Sequence, residues 1–148
     1  MCFAEIEILV GASDADATRT AYAAFEPRGC ECAFCRNFRA QTNGVPESIQ
    51  LLLQKMGIDP AKPVEIVDYG KCNDGGRLYE VEWAFLPDAD HTCDRLVTAR
   101  CDGCKVSMFK GGIPNEFSHA SNRCSLSVLM SNVPWVLSEA EPPDNRQR

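Results

Sequence analysis

Three cysteines in the first quarter of the chain lie close enough together to suggest metal chemistry. Cys30, Cys32 and Cys35 fall within six residues, and the last two have the spacing of a C-x-x-C motif. Thiolates at this spacing commonly bind zinc, which takes four donors in a tetrahedral arrangement. The group is therefore a candidate zinc site that needs further ligands.

A second C-x-x-C motif further along the chain could supply those ligands. Cys101 and Cys104 flank an Asp-Gly pair, which is a strong signal for a hairpin turn that projects both cysteines to the same side. The candidate metal ligands are therefore Cys30, Cys32, Cys35, Cys101 and Cys104, and zinc is the one cofactor that they indicate. Spacing weighs against a single site, because 65 residues separate the two motifs, where common zinc fingers have roughly 12 to 20.

The same residues also fit two interpretations without metal. Cys32 and Cys35 could form a redox-active dithiol, with Arg36 favouring the thiolate. Such a pair normally lies between a buried strand and a helix, whereas residues 25–29 (FEPRG) are typical of a loop. Alternatively, the cysteines are small apolar packing groups in a tight loop, and the Cys101 and Cys104 pair simply closes a hairpin.

No other group of residues indicates catalysis. His91 and His119 are the two histidines, and neither lies in a Ser or Cys nucleophile motif. The glycine pairs lack the lysine and the strand-to-helix context of phosphate-binding loops. We therefore predict no catalytic residues apart from the alternative redox pair. The leading hypothesis is a non-enzymatic interaction or regulatory module that binds a protein partner.

Charge and hydropathy narrow the choice of partner and compartment. Acidic residues outnumber basic ones by 21 to 15, and no basic stripe is present to neutralise phosphates, which argues against nucleic acid. No run approaches the roughly 18 apolar residues of a membrane span, and the N-terminus lacks the pattern of a signal peptide. We therefore expect a cytoplasmic protein, in which a reducing environment keeps the nine cysteines as free thiols.

The elements that must position these residues are predicted from hydrophobic periodicity. Residues 46–56 are typical of a helix, because Pro46 begins the segment, apolar residues recur at helical spacing and Gly57 follows. Residues 14–25 predict a second helix. Alternation of apolar and polar residues predicts strands at 3–10, 64–69, 78–85, 96–100, 105–110 and 124–130. The fold class is α+β, a mainly antiparallel sheet of about five strands with one or two helices on one face.

The domain organisation follows from the same pattern. Residues 1–138 are predicted to form a single globular domain, and residues 139–148, which are polar and proline-rich, a flexible C-terminal tail. We expect Trp83, Phe85 and Trp135 to be core residues, with anchors of an interface as the alternative.

Three segments of the chain resemble a family of uncharacterised bacterial proteins. They are residues 30–38 (CECAFCRNF), residues 56–63 (MGIDPAKP) leading to Glu65 and Tyr69, and residues 134–137 (PWVL). The resemblance covers the chain from about residue 22 to residue 138 and implies a single-domain bacterial protein. No activity is assigned to that family, so the resemblance adds no reaction. It does not extend over residues 86–125, which include the second C-x-x-C motif.

Overall fold

Four helices precede five strands in the part of the chain that the computed structural model describes, which comprises residues 3–27, 29–41, 45–89, 96–111, 117 and 123–143. The helices are α1 (Phe3–Gly11), α2 (Ala15–Ala24), α3 (Ala33–Arg39) and α4 (Glu47–Met56). The strands are β1 (Glu65–Lys71), β2 (Arg77–Phe85), β3 (Val97–Cys101), β4 (Cys104–Lys110) and β5 (Cys124–Val133). The predicted α+β class is confirmed.

The strands form one antiparallel sheet in the order β1-β2-β5-β4-β3. β5 lies at the centre, where β2 and β4 pair with its two sides. The alternating residues of β2 point into the core, as their pattern predicts: Tyr79, Val81, Trp83 and Phe85 are fully buried. The core position expected for Trp83 and Phe85 is therefore confirmed.

The helix α4 covers part of this core and begins and ends close to the predicted residues. Its buried side chains are the predicted apolar set Ile49, Leu52, Leu53 and Met56. Gly57 ends the helix in the left-handed region, at φ 79°, where a residue without Cβ is favoured. A Cβ at this position would also collide with the backbone of Ala15, so α2 and α4 can approach each other only at a glycine.

The first element is a helix, so the strand predicted at residues 3–10 is wrong. α1 buries Leu9 completely and packs Ile6 and Val10 against the core. These three positions have the spacing i, i+3 and i+4 of one helical face. The same residues also alternate as a strand would, so the sequence fits both elements. Short apolar runs are ambiguous between helix and strand, and contacts with α4 and β3 favour the helix here.

The helix that carries the cysteines was not expected from periodicity, because it is only seven residues long. The sequence predicts a tight loop around Cys30, Cys32 and Cys35, and the loop ends at Cys32. From Ala33 the chain turns into α3, which buries Cys35, Asn37 and Phe38 and packs against β1.

Residues 134–143, which we call the C-terminal segment, follow β5 and contact α3. The Trp135 ring packs edge-on against Phe34, with ring centroids 6.1 Å apart, so Trp135 is half buried and lies outside the main core. Glu139 pairs with Arg36, and Glu141 pairs with Arg77. Ion pairs thus reach into the tail predicted to be flexible, and residues 144–148 of that tail lie outside the described residues.

Of the helices described, none is long and apolar enough to cross a membrane.

Candidate metal centre

The sulfur atoms of Cys30, Cys32 and Cys35 lie within 4.8 Å of one another. A tetrahedral zinc ion with Zn–S bonds of about 2.3 Å would hold its sulfurs about 3.8 Å apart, so small side-chain rotations would bring the three sulfurs to that distance. Cys30 and Cys32 are exposed, whereas Cys35 is 6% accessible. This cluster could hold a metal ion that enters from solvent.

Each of the three thiols is held by a different local feature. Cys35 lies in the first turn of α3, and its sulfur is 3.9 Å from the carbonyl oxygen of Ile66 on β1. Cys32 occupies the N-cap position of the same helix, with an extended backbone. The backbone N–H of Cys32 donates to the sulfur of Cys30 across 3.4 Å. The turn into α3 therefore directs all three sulfurs to one point.

Two arginines of α3 fix the loop that carries Cys30. The Arg36 Nε donates to the carbonyl oxygen of Glu31 across 2.9 Å, and the Arg39 guanidinium donates to the carbonyl oxygen of Cys30. Gly29 makes room for that guanidinium, because a Cβ at Gly29 would collide with it. The loop is therefore held in place before any metal binds.

Cys32 and Cys35 differ in acidity as well as in exposure. Partial burial opposes ionisation of Cys32, but the backbone amide of Cys35 and the neighbouring thiols favour its thiolate, and the net pKa is lowered. Burial, reinforced by Cys32, raises the pKa of Cys35 to about 12.

The structure does not bring Cys101 and Cys104 to this cluster, so a five-cysteine site is not formed. Cys35 lies against β1, whereas Cys101 ends β3 and Cys104 begins β4 on the other side of β2 and β5. Three strand spacings separate β1 from β4, which is about 14 Å. The two residues are instead 3% accessible and face each other at the hairpin, as the packing interpretation predicts.

The turn between Cys101 and Cys104 has the conformation that its sequence indicates. Asp102 and Gly103 both have positive φ, at 49° and 76°, which is the requirement of a type I′ hairpin turn. Burial raises the pKa of Cys104 to about 11, so its thiol stays protonated near neutral pH.

The remaining cysteines were not candidates for the site. Cys72 is a half-buried free thiol. Cys124 is disulfide-bonded, and the other half of that bond lies outside the described residues. The expectation that every cysteine stays a free thiol is therefore wrong for Cys124. The two histidines, His91 and His119, also lie outside the described residues.

A cavity of about 540 Å³ adjoins the cluster, and Cys30 and Cys35 form part of its wall. Apolar side chains and several charged groups form the rest. The carboxylates are Glu26, Glu31 and Glu65, and the cations are Arg39 and Lys62. The Lys62 Nζ lies 3.8 Å from a carboxylate oxygen of Glu26 and donates to the carbonyl oxygen of Tyr22 across 2.9 Å, and Arg39 donates to the carbonyl oxygen of Cys30. Three carboxylates against two cations leave the cavity with one excess negative charge.

Asn37 supports the cysteine helix from behind, and sequence analysis did not identify it. Its side chain is fully buried. Its Nδ2 donates to the carbonyl oxygen of Pro134 across 3.0 Å, and its Oδ1 accepts from the Val136 N–H across 2.8 Å. One asparagine thus satisfies two backbone groups of the C-terminal segment.

Arg77 is a second supporting residue that the sequence did not reveal. It is 1% accessible although arginine is seldom buried without a partner. Its guanidinium pairs with Asp68 at 2.8 Å and with Glu141 at 2.5 Å, and it lies 4.4 Å from the centre of the Phe34 ring. Arg77 therefore joins β1 and the C-terminal segment beneath the cysteine helix.

Comparison with known proteins adds no relative. No protein-family model, curated protein or solved structure matches the chain. The three segments that carry the family resemblance do meet around this site: residues 61–66 line the cavity beside Cys30, and residues 134–136 bind Asn37. The family assignment itself stays a prediction.

Proposed function

We propose that this protein is a small cytoplasmic interaction or regulatory module, without enzymatic activity, in which Cys30, Cys32 and Cys35 bind one zinc ion. The observation that carries the proposal is the convergence of the three sulfurs within 4.8 Å of one another. Two of the thiols are exposed, so a metal ion can reach them without unfolding of the domain. Three cysteines resemble the ligands of structural zinc sites, such as Cys₄ and Cys₃His, more than the histidine-containing sets of hydrolytic enzymes, which favours a binding role over a hydrolytic one.

Metal content and thiol reactivity together test this function. Protein purified without an affinity tag should contain one zinc per chain, and zinc should protect Cys30 and Cys32 from an alkylating reagent until a chelator is added. Replacing any one of the three cysteines by serine should lower zinc affinity by at least about tenfold, because each is a direct ligand. Cys72→Ser is the matched control, since this thiol lies outside the cluster.

Two results would overturn the zinc site. One is metal-free protein whose cluster thiols react equally fast with and without added zinc. The other is loss of zinc from Cys101→Ser or Cys104→Ser while the cluster variants retain it. The compartment is tested by counting thiols in denaturant, in protein trapped directly in cells. A reducing cytoplasm should leave Cys124 as a free thiol, whereas persistence of the disulfide at Cys124 would lower the count and indicate an oxidising compartment.

A second candidate function is thiol–disulfide exchange, which the unequal exposure of Cys32 and Cys35 favours. The Cys32 thiolate would attack a substrate disulfide, form a mixed disulfide and release one substrate thiolate. Cys35, after losing its proton, would then attack the Cys32 sulfur and release the second thiolate. The substrate gains two electrons and two protons, Cys32 and Cys35 become a disulfide, and an external dithiol must reduce them again.

The role of Cys30 separates the two candidate functions. Cys30→Ser removes a zinc ligand but leaves the dithiol intact, so zinc binding should weaken while any two-electron titration persists. Cys32→Ser should abolish both. If a redox titration of the wild-type protein shows no reversible two-electron step at Cys32 and Cys35, the oxidoreductase function is excluded.

A further inference from the structure

The cluster offers three ligands to an ion that takes four. In the residues that the structure describes, Cys30, Cys32 and Cys35 are the one group of ligating side chains that converges on a point, and no carboxylate joins them within 4.8 Å. Structural zinc sites fill all four positions with protein ligands, whereas catalytic sites with three protein ligands leave the fourth to water or substrate. The identity of the fourth ligand would therefore indicate what the site does.

The cavity beside the cluster is where such a ligand would enter. Cys30 and Cys35 form part of its wall, and its volume of about 540 Å³ is ample for one side chain. Its apolar lining consists of Pro27, Ala61, Pro63, Val64 and Ile66. These residues offer contact to the face of a ring, and the five charged residues of the same wall decide which charge a ligand can carry.

Charge decides which kind of donor fits. Three thiolates and one Zn²⁺ carry a net charge of −1, and the cavity adds Glu26, Glu31 and Glu65 against Arg39 and Lys62. An anionic fourth ligand, a thiolate or carboxylate, would bring further negative charge into this acidic space, which electrostatic repulsion disfavours. A neutral imidazole brings none, and Cys₃His is an established set of zinc ligands.

We infer that the fourth ligand is the neutral imidazole of a histidine on a partner protein, inserted through the cavity beside Cys30 and Cys35. This inference rests on the zinc site proposed above. A bound partner would close the coordination sphere, and the metal would form part of the interface.

Cobalt-substituted protein and free imidazole test the inference. Co²⁺ replaces zinc and reports its ligands through visible absorption bands, and imidazole stands in for the partner's side chain. Imidazole should change the bands in a saturable manner with a stoichiometry of one, and it should bind about tenfold more tightly than acetate. The double variant Glu31→Gln with Glu65→Gln removes two negative charges from the cavity and should reduce the preference for imidazole over acetate several-fold. Glu47→Gln on α4, outside the cavity, should leave it unchanged.

The outcomes separate this inference from the zinc site itself. If added Co²⁺ produces no thiolate-to-metal charge-transfer bands, both the proposed zinc site and this inference are overturned. Two results would overturn the inference alone. One is normal cobalt binding with absorption bands that do not change when imidazole is added. The other is binding of acetate or mercaptoethanol as tightly as imidazole. The inference would also be overturned if the bands depended on protein concentration, which indicates a second copy, or changed in His91→Ala or His119→Ala before imidazole is added.

Discussion

Cys32 and Cys35 illustrate how strongly position alone changes one residue type. Two residues separate them, yet the first is exposed with a lowered pKa and the second is buried with a pKa of about 12. A bound metal ion would require both as thiolates, and zinc binding therefore releases a proton that Cys35 otherwise keeps. Zinc affinity should accordingly increase with pH.

The raised pKa of Cys35 also links stability of the metal-free protein to pH. Because the folded-state pKa of about 12 exceeds the ordinary value near 9, the folded protein holds this proton more tightly than the unfolded chain does. The stabilisation is complete below about pH 9 and is lost as the pH increases towards 12. Cys35→Ala should reduce the fall in unfolding free energy, measured with urea, over this range. Cys72→Ala should retain it, and an unchanged pH profile in Cys35→Ala would contradict the assignment.

Asn37 should be the most sensitive polar position of the site. Asn37→Ala leaves the Val136 N–H without its partner and removes a donor to Pro134, so we expect a loss of about 2–3 kcal/mol in unfolding free energy. Gln41→Ala is the control, because Gln41 donates to the same Pro134 carbonyl from a more exposed position, and it should cost less than about 1 kcal/mol. Equal losses in chemical denaturation would show that burial is unimportant here.

The residues that sequence analysis found and missed differ in how far away their partners lie. Cys101 and Cys104 depend on a turn of two residues, so their placement at a hairpin could be predicted locally. Asn37 binds Tyr79 and Val136, which are 42 and 99 residues away. No local pattern carries that information. The same holds for Arg77, whose partner Glu141 is 64 residues away.

Among the elements, the strands were easier to predict than the short helices. The sequences of β2 and β4 alternate because one face of each strand meets the core, and this period depends on the strand itself. α1 and α3 are nine and seven residues long, too short for helical propensity to stabilise them without tertiary contacts. α3 did have one local signal, since Phe34 and Phe38 are four residues apart and fall on one helical face.

The contact between α2 and α4 can be tested at the glycine that permits it. Gly57→Ala should destabilise the protein by about 2–4 kcal/mol, because a Cβ meets both an unfavourable φ and the Ala15 backbone. Gly103→Ala provides the control. Gly103 has a similar φ of 76° but no neighbour within 4 Å of its Cβ position, so only about 1–2 kcal/mol should be lost. Equal effects on thermal unfolding would mean that α2 readily moves aside.

At the scale of the whole molecule, the C-terminal segment completes the domain. Ending the chain after Ser138 removes Glu139 and Glu141, so Arg36 loses its ion pair and the buried Arg77 keeps Asp68 but loses its second carboxylate partner. We expect a loss of about 2–3 kcal/mol in unfolding free energy. Ending it after Pro143 keeps every described contact and should cost nothing measurable. If the two truncated proteins unfold at the same urea concentration, the segment contributes no stability.

The position of the three cysteines in the chain has a consequence for how a metal ion would act on the fold. All three lie within six residues, so an ion would close only a very small loop and would remove little freedom from the unfolded chain. The sheet and α4 have a core of their own that does not include the cluster's exposed thiols. Metal binding and release would therefore leave the domain folded, a property suited to reversible occupancy.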